Sequence, residues 1–457
     1  MEKFDILDNC RSFHFISIGG VSMSGLAEIL HHNGFVISGS DQHDSENVAR
    51  MRDLGICAKI GHNPENIPQN CQVVIYNAAV AENNAEMVAA RARGLHLMAR
   101  GELLGRLMKN YGQAICVAGT HGKTTTTSML AAIFMHAGKD PTIHNGGILP
   151  SIGTPTRIGG RDFFIAEACE YHDAFLQFFP TTGIILNMEM DHDDFFADIH
   201  ALRRSFQNFA KKIPKEGLLV IGENLDLDGF LHEINCNLEI IGDNFRAENI
   251  GFDSQGRGFF SLFRGKANLG QINLSLPGHH NIQNAMAAAT CAIHHSIDFE
   301  DIQNALVAFT GARRRFEKIG KFMDADVVDD FAHHPTEISA TLSAAKNIPH
   351  RRLWAVFQPH THARTLQHLP NLAKSLGGSD ETIVLDIYSP AGRGDLAHAV
   401  HALDLVEEMG RLGLDAHYAA DFDAAKKLLA AQLRPGDMVI VMGAGDVNVL
   451  AHKLVES

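Results

Sequence analysis

The chain has 457 residues, of which 45% are hydrophobic and 20% charged, and its formal net charge is -14. That length exceeds one ordinary core and predicts two to four domains of about 100–200 residues each, with no apolar run near the roughly 18–20 residues that span a bilayer. The acidic balance argues against generic nucleic-acid binding, though not against phosphate ligands, which need only a local positive site.

The opening MEKFDILDNCRSFHF lacks the basic, apolar and small-residue succession of a signal peptide. Seven scattered cysteines without a CxxC pair read as reduced thiols. Both features predict a cytoplasmic protein. A buried-type strand at Phe13–Ile18 leads into SIGGVSMSG and a helical pattern at Met23–His32, and a second strand, Phe35–Ser38, runs into Gly39-Ser40-Asp41. The glycines at 19, 20 and 25 do not match G-x-G-x-x-G, so a tight turn without a ligand stays open. A bound ligand would be a diphosphate at the helix start, with Asp41 reaching a hydroxyl. Another strand is expected at Val73–Asn77.

The second block opens on AICVAGTHGKTTTTSML, residues 114–130. An apolar strand empties into a glycine loop and a helix start, which is how phosphates are held. Val117 stands where G-x-x-x-x-G-K-[ST] wants its first glycine. Even so, Gly119 and Gly122 turn the backbone, Lys123 supplies a mobile charge, and the Thr124 hydroxyl suits Mg²⁺. A helix N-cap would explain one threonine, not four in a row. Strands at Phe163–Glu167 and Gly183–Asn187 end in carboxylates: Glu167 and Glu170 after the first, then Glu189, Asp191, His192, Asp193 and Asp194. Parallel strands would bring both clusters beside the loop. Hard oxygen donors there suit Mg²⁺, and a solvated acidic loop is the alternative for any single one.

A glycine-punctuated β region over about 238–276 precedes an alanine-rich helix from Asn281. The third block begins near GARRRF (311–316) and has strands at Val327–Phe331, Leu353–Phe357, Thr382–Asp386 and Met438–Met442. Asp329, Asp330, His333 and His334 gather at one strand end and His360, His362 and Arg364 at the next; an arginine there suits a carboxylate. Strands alternating with helices imply an α/β protein with ligands at the carboxyl ends of its strands. Three domains are expected: a Rossmann-like domain at 1–110, a central P-loop ATPase-type α/β domain at 111–310, and a second Rossmann-like α/β domain at 311–457.

The order of these motifs resembles the Mur ligases of peptidoglycan synthesis over essentially the whole chain. It runs from HFISIGGVSMSGLAEIL and SGSD through VAGTHGKTTTT, HNGG, EACEYHDAF, DHDDFF and GHHNIQNA to GARRRFE, DDFAHHPTEI, FQPHTHART and MGAGD. The resemblance implies an enzyme that uses ATP and Mg²⁺ to join a UDP-sugar carboxylate to an amino acid through an acyl phosphate. The branch it matches takes UDP-N-acetylmuramate and L-alanine and acts as a monomer or homodimer, away from membrane and nucleic acid. A branch that attaches a tripeptide during murein recycling is the alternative, and typically lacks FQPHTHART.

Residue by residue, Gly119, Thr120, His121, Gly122, Lys123, Thr124 and Thr125 would hold the ATP phosphates. Thr124, Glu167 and His192 match magnesium positions, His280 and Asn284 match positions near adenine, and Arg314 and Asp329 match positions that grip the nucleotide. Gly20, Val21, Ser22, Met23, Ser24, Asp41, His62 and Asn77 fall at the UDP end. Arg315, His333 and Arg364 fall with the reacting substrates, His333 as a proton acceptor or merely a positioning group. Lys123, His333 and Arg364 are the catalytic candidates. The chain departs from the family in Phe331 for tyrosine, Thr361 for arginine and EACEYH for EADES. With Gln207 where sister ligases carry a carbamylated lysine, no such lysine is expected.

Overall fold

The computed structural model describes residues 4, 6–7, 9–192, 195–223, 225–389 and 399–456. They build an α/β protein around three mainly parallel sheets. The chain divides into two compact units, Met1–Arg246 with Met286–Ile302 and Ala247–Ala285 with Gln303–Ser457.

The first unit opens with β1 (Ser12–Ile16), α1 (Val21–His32), β2 (Val36–Asp41), α2 (Glu46–Asp53), β3 (Cys57–Ile60), β4 (Val73–Tyr76), α3 (Ala85–Ala92), β5 (His96–Ala99) and α4 (Arg100–Met108). These strands pair in the order β3-β2-β1-β4-β5, all parallel. The order reverses between β1 and β4, and the crevice at such a switch point is where this architecture takes ligands. β1 stops at Ile16, two residues short of the sequence expectation, because Ser17 turns to φ +65°. β2 runs three residues further than expected, to Asp41, held by pairing with both β1 and β3. In α1, Met23, Leu26, Ala27 and Leu30 recur at helical spacing and bury one face.

The central sheet follows with β6 (Gln113–Ala118), α5 (Lys123–His136), β7 (Thr142–Leu149), β8 (Thr154–Arg157), β9 (Phe163–Glu167), β10 (Thr182–Ile185), α6 (Ile199–Ala210), β11 (Leu218–Ile221) and β12 (Asn237–Ile240). Its order is β12-β11-β10-β6-β9-β7-β8, with only the β7–β8 pair antiparallel. β6 therefore lies between β9 and β10. Its residues from Ala114 onward are buried, as a strand covered on both faces requires. One apolar core joins the first two sheets, with Phe13, Leu103, Phe164, Phe175 and Leu219 among its members.

β13 (Phe245–Phe252), β14 (Arg257–Arg264) and β15 (Ala267–Pro277) form a three-stranded sheet, followed by α7 (His279–His294) and α8 (Phe299–Ala308). The last sheet comprises β16 (Glu317–Phe322), β17 (Ala325–Asp330), β18 (Leu353–Phe357), β19 (Glu381–Leu385), β20 (Ala416–Ala419) and β21 (Met438–Met442). They run β16-β17-β21-β18-β19-β20, parallel except for β16. Helices α9 (Pro335–Lys346), α10 (His362–Leu376), α11 (Ala402–Arg411), α12 (Phe422–Gln432) and α13 (Asn448–Val455) follow its strands, and Trp354 is fully buried in its core. Among the described residues, no helix is long and apolar enough to cross a membrane.

Candidate functional site

In the first unit the loop after β6 has the shape a phosphate cradle needs. Gly119 (φ +141°) and Gly122 (φ +84°) adopt angles that favour glycine, and Gly122 is the N-cap of α5. The loop is clamped to the segment after β10: Asn187 Oδ1 accepts the His121 N–H at 2.8 Å, and its amide donates to the His121 carbonyl at 3.0 Å. The Thr120 hydroxyl donates to the Glu189 carbonyl at 3.0 Å and accepts the Glu189 N–H at 2.9 Å. Thr124 and Thr125 are buried in the first turn of α5.

The Lys123 ammonium folds back on the loop, donating to the carbonyls of Gly119 (2.5 Å) and Thr120 (3.0 Å) and to both oxygens of Glu170 (3.0 and 3.2 Å). Burial opposes its charge, but the fields of Glu170 and Glu167 outweigh that and hold the amine above its ordinary value. Glu170, expected from sequence as part of a carboxylate cluster, is thus the lysine's buried counter-ion.

The Thr124 hydroxyl donates to Glu167 Oε2 at 2.8 Å, and the Gly146 N–H donates to the same oxygen at 3.0 Å. A hydroxyl and a carboxylate oriented by a backbone donor are hard oxygen ligands of the kind Mg²⁺ takes, so this pair fits that ion. His192 follows β10 at the same sheet edge; its ring stacks on Tyr171 at 4.4 Å, and its backbone N–H donates to Asp191 Oδ1 at 2.8 Å. Glu189 turns toward His121, 3.4 Å away. Asp193 and Asp194 lie outside the described residues.

At the carboxyl edge of the first sheet, the Gly19 N–H donates to Asp41 Oδ2 at 2.9 Å. Asp41 thereby fixes the glycine loop against β2. His62 Nδ1 lies 3.0 Å from the Ser40 hydroxyl, and Asn77 Oδ1 accepts the Ala79 N–H at 2.9 Å. Gly20 is the N-cap of α1, Val21 is exposed, and the Met23 and Ser24 side chains are buried. Ser22 faces the central sheet, where its hydroxyl lies 2.7 Å from His144 Nε2 and accepts from Arg100 Nη1 at 2.8 Å. Burial, helped by the Arg100 charge, lowers the His144 pKa to about 3. β7 thus touches the first glycine loop through His144 and Glu167 through Gly146.

In the second unit, Arg314 donates to the carbonyls of Gly443 (2.7 Å) and Gly445 (3.0 Å) and stands 3.6 Å from Asp329. Burial raises Asp329 to about 7 against the pull of that guanidinium. Asp330 accepts the N–H groups of Phe316 (2.8 Å) and Ala332 (2.7 Å). The guanidinium groups of Arg314 and Arg315 lie over the Phe331 ring at 4.9 and 5.0 Å. His333 Nδ1 is 3.0 Å from the Phe331 carbonyl and 3.2 Å from Glu337, both acceptors. Nδ1 therefore carries the proton and Nε2 is the basic nitrogen. The His360 ring lies 5.9 Å from that of His333, and Arg364 sits in the first turn of α10, its N–H capped by Thr361. Asn284 is buried and donates to Asn281, while burial lowers His280 to about 4.

Three family models match almost end to end: the Mur ligase catalytic domain over residues 12–112, the Mur ligase middle domain over 117–292 and the Mur ligase glutamate ligase domain over 314–445. The chain belongs to the Mur ligase family. A UDP-N-acetylmuramate–L-alanine ligase from Clostridium kluyveri is 44% identical over 449 residues, covering 97% of this chain and 98% of its own. The solved UDP-N-acetylmuramate–alanine ligase of Thermotoga maritima is 26% identical with TM-score 0.82, covering 97% of this chain and 98% of its own. A murein peptide ligase from Psychrobacter arcticus shares the fold at 23% identity and TM-score 0.73, covering 97% of this chain and 98% of its own.

For this Mur ligase, sequence reasoning did not single out Arg100, Asn187 or Glu86. Asn187 stands two residues past the end of β10, which pairs with β6, a position that could have drawn notice. Arg100 and Glu86 carry no local signal, because their partners are distant in sequence.

Proposed function

We propose that the chain joins L-alanine to the lactyl carboxylate of UDP-N-acetylmuramate, converting ATP to ADP and phosphate in peptidoglycan precursor synthesis. The observation that carries the reading is the glycine loop with Lys123 at its mouth and the Thr124–Glu167 pair beside it, in a chain alike end to end to ligases of that name. A carboxylate does not acylate an amine, since hydroxide is a poor leaving group. Its oxygen instead attacks the γ-phosphorus, the bond to the β-phosphate oxygen breaks, and ADP leaves behind an acyl phosphate. The alanine amine adds to the acyl carbon, loses a proton, and inorganic phosphate departs.

Within this scheme the loop residues Gly119–Thr125 hold the ATP phosphates. Lys123 leaves Glu170 to meet the charge that develops during transfer. Mg²⁺, held by Thr124, Glu167 and His192, would neutralise phosphate oxygens. His280 and Asn284 serve the adenine, and Arg314 and Asp329 the rest of the nucleotide. Asp41, His62, Asn77 and the 20–24 turn serve the UDP end, with Arg315 at the sugar carboxylate. His333 Nε2 accepts the amine proton, and Arg364 pairs with the alanine carboxylate.

Phosphate release from purified protein, ATP and UDP-N-acetylmuramate should depend on L-alanine, with glycine and L-serine slower. Turnover only with a tripeptide would replace this reading by the recycling activity.

A further inference from the structure

Glu86 lies on α3, without exposed surface and outside the site residues placed above. Its Oε1 accepts from the Asn66 amide at 2.7 Å and the Asn63 N–H at 3.2 Å. Its Oε2 accepts from the Ser40 hydroxyl at 2.6 Å and stands 3.4 Å from His14 Nε2 and 3.6 Å from His62 Nδ1. These partners come from β1, the end of β2 and the turn after β3. They surround the carboxyl edge where Asp41 holds the Gly19 N–H.

The pattern of donors fixes a tautomer. The Ser40 hydroxyl gives its only hydrogen to Glu86, so the His62 Nδ1 3.0 Å from it must be a donor. Nε2 is then the His62 nitrogen left for a ligand. A sealed carboxylate is costly, and apolar residues of similar volume often serve stability as well or better. Here burial opposes the charge, but hydrogen bonds from His14, Ser40 and Asn66 outweigh it and keep the carboxyl below its ordinary value. A costly anion wired to a candidate ligand residue fits a positioning role better than a packing role.

We propose that Glu86 is a positioning residue for the UDP end of the sugar nucleotide, setting the orientation of His62 and the Ser40–Asp41 strand end. The proposal rests on the first sheet being the UDP-binding one. Glu86→Gln keeps the shape. Its amide nitrogen avoids the Asn63 and Asn66 donors, so it faces Ser40 and His14 and puts a donor where both now find an acceptor, which turns the Ser40 hydroxyl that holds His62.

The test is UDP binding by calorimetry on the full chain, with ADP binding as the control. E86Q should weaken UDP roughly tenfold, the scale of one lost charged hydrogen bond, and leave ADP within about twofold. His62→Ala should weaken UDP similarly, and E86Q on that background should add less than about twofold, because the two act as one. Wild-type UDP affinity in either single variant, an additive loss in the double variant, or an equal loss for ADP each overturns the proposal. If E86Q does not fold, Ser40→Ala deletes only the hydroxyl between Glu86 and His62, and unchanged UDP affinity there overturns it too. Binding rather than turnover is read, so UDP bound without L-alanine-dependent phosphate release would refute the catalytic reading alone. No UDP binding by the wild type would refute both.

Discussion

Lys123 and Glu170 form a buried ion pair at the mouth of the phosphate loop, with side chains 12% and 1% exposed. Removing one member of such a pair leaves the other charge buried and unmatched, which costs about 3–5 kcal/mol, whereas removing both can be nearly neutral. Lys123→Met should therefore lower stability by a few kcal/mol, and Glu170→Gln on top of it should restore most of that loss. Phosphate release should stay abolished in both, since the lysine is the group that meets the transferring phosphoryl charge. Denaturant unfolding and the phosphate assay on the three variants separate the two effects. A double variant no more stable than K123M would show that the pair does not hold the loop. Full activity in K123M would refute the catalytic assignment. The loop itself was legible because its signal is local, glycine and lysine within five residues of a buried strand end. Its counter-ion was legible only as a nearby carboxylate, since sequence spacing does not say which of several strand-end acids a lysine will choose.

At the scale of elements, β7 carries His144 into contact with Ser22 and, two residues on, Gly146 into contact with Glu167. His144 is buried and its pKa falls to about 3, so the folded state resists protonation where the unfolded chain, near 6.5, accepts it. The stability this contributes is complete above about pH 6.5 and is lost as pH falls toward 3. At pH 5 the loss should be about 2 kcal/mol, or several degrees in the melting temperature of a unit this size. His144→Gln keeps a polar group for Ser22 but does not titrate. Its melting temperature should fall less than the wild type's between pH 7.5 and 5. Parallel curves would assign the acid sensitivity to other groups. The expected strands at Phe163–Glu167, Leu353–Phe357 and Met438–Met442 have the bounds read from sequence, because each is a short apolar run closed by polar residues. β1 and β2 differ by two or three residues, since a turn at Ser17 and pairing to β3 decide where those ladders end. The contact of β7 with the first glycine loop spans 122 positions and leaves no periodic trace.

For the whole molecule, the alternation of strands and helices made the α/β plan readable. The first two sheets share one apolar core, and Met286–Ile302 belongs with them although the preceding β-rich stretch does not. The last sheet has cores of its own on its two faces, one around Phe357 and Leu342 and the other around Trp354 and Leu450. Bodies with separate cores open separately in hydrogen exchange, and a ligand protects the body it binds. If the UDP end belongs to the first sheet, UDP at about 100 times its Kd should stabilise that unit by about 2.7 kcal/mol. Amide exchange from β1, β2 and β4 should then slow by up to about a hundredfold, while β17, β18 and β21 exchange as before. Protection confined to the last sheet would move the UDP site out of the first. Equal protection in both would mean that the two bodies open as one cooperative unit, and that a charge network such as the one around Glu86 is felt across the whole chain rather than only at its own sheet edge.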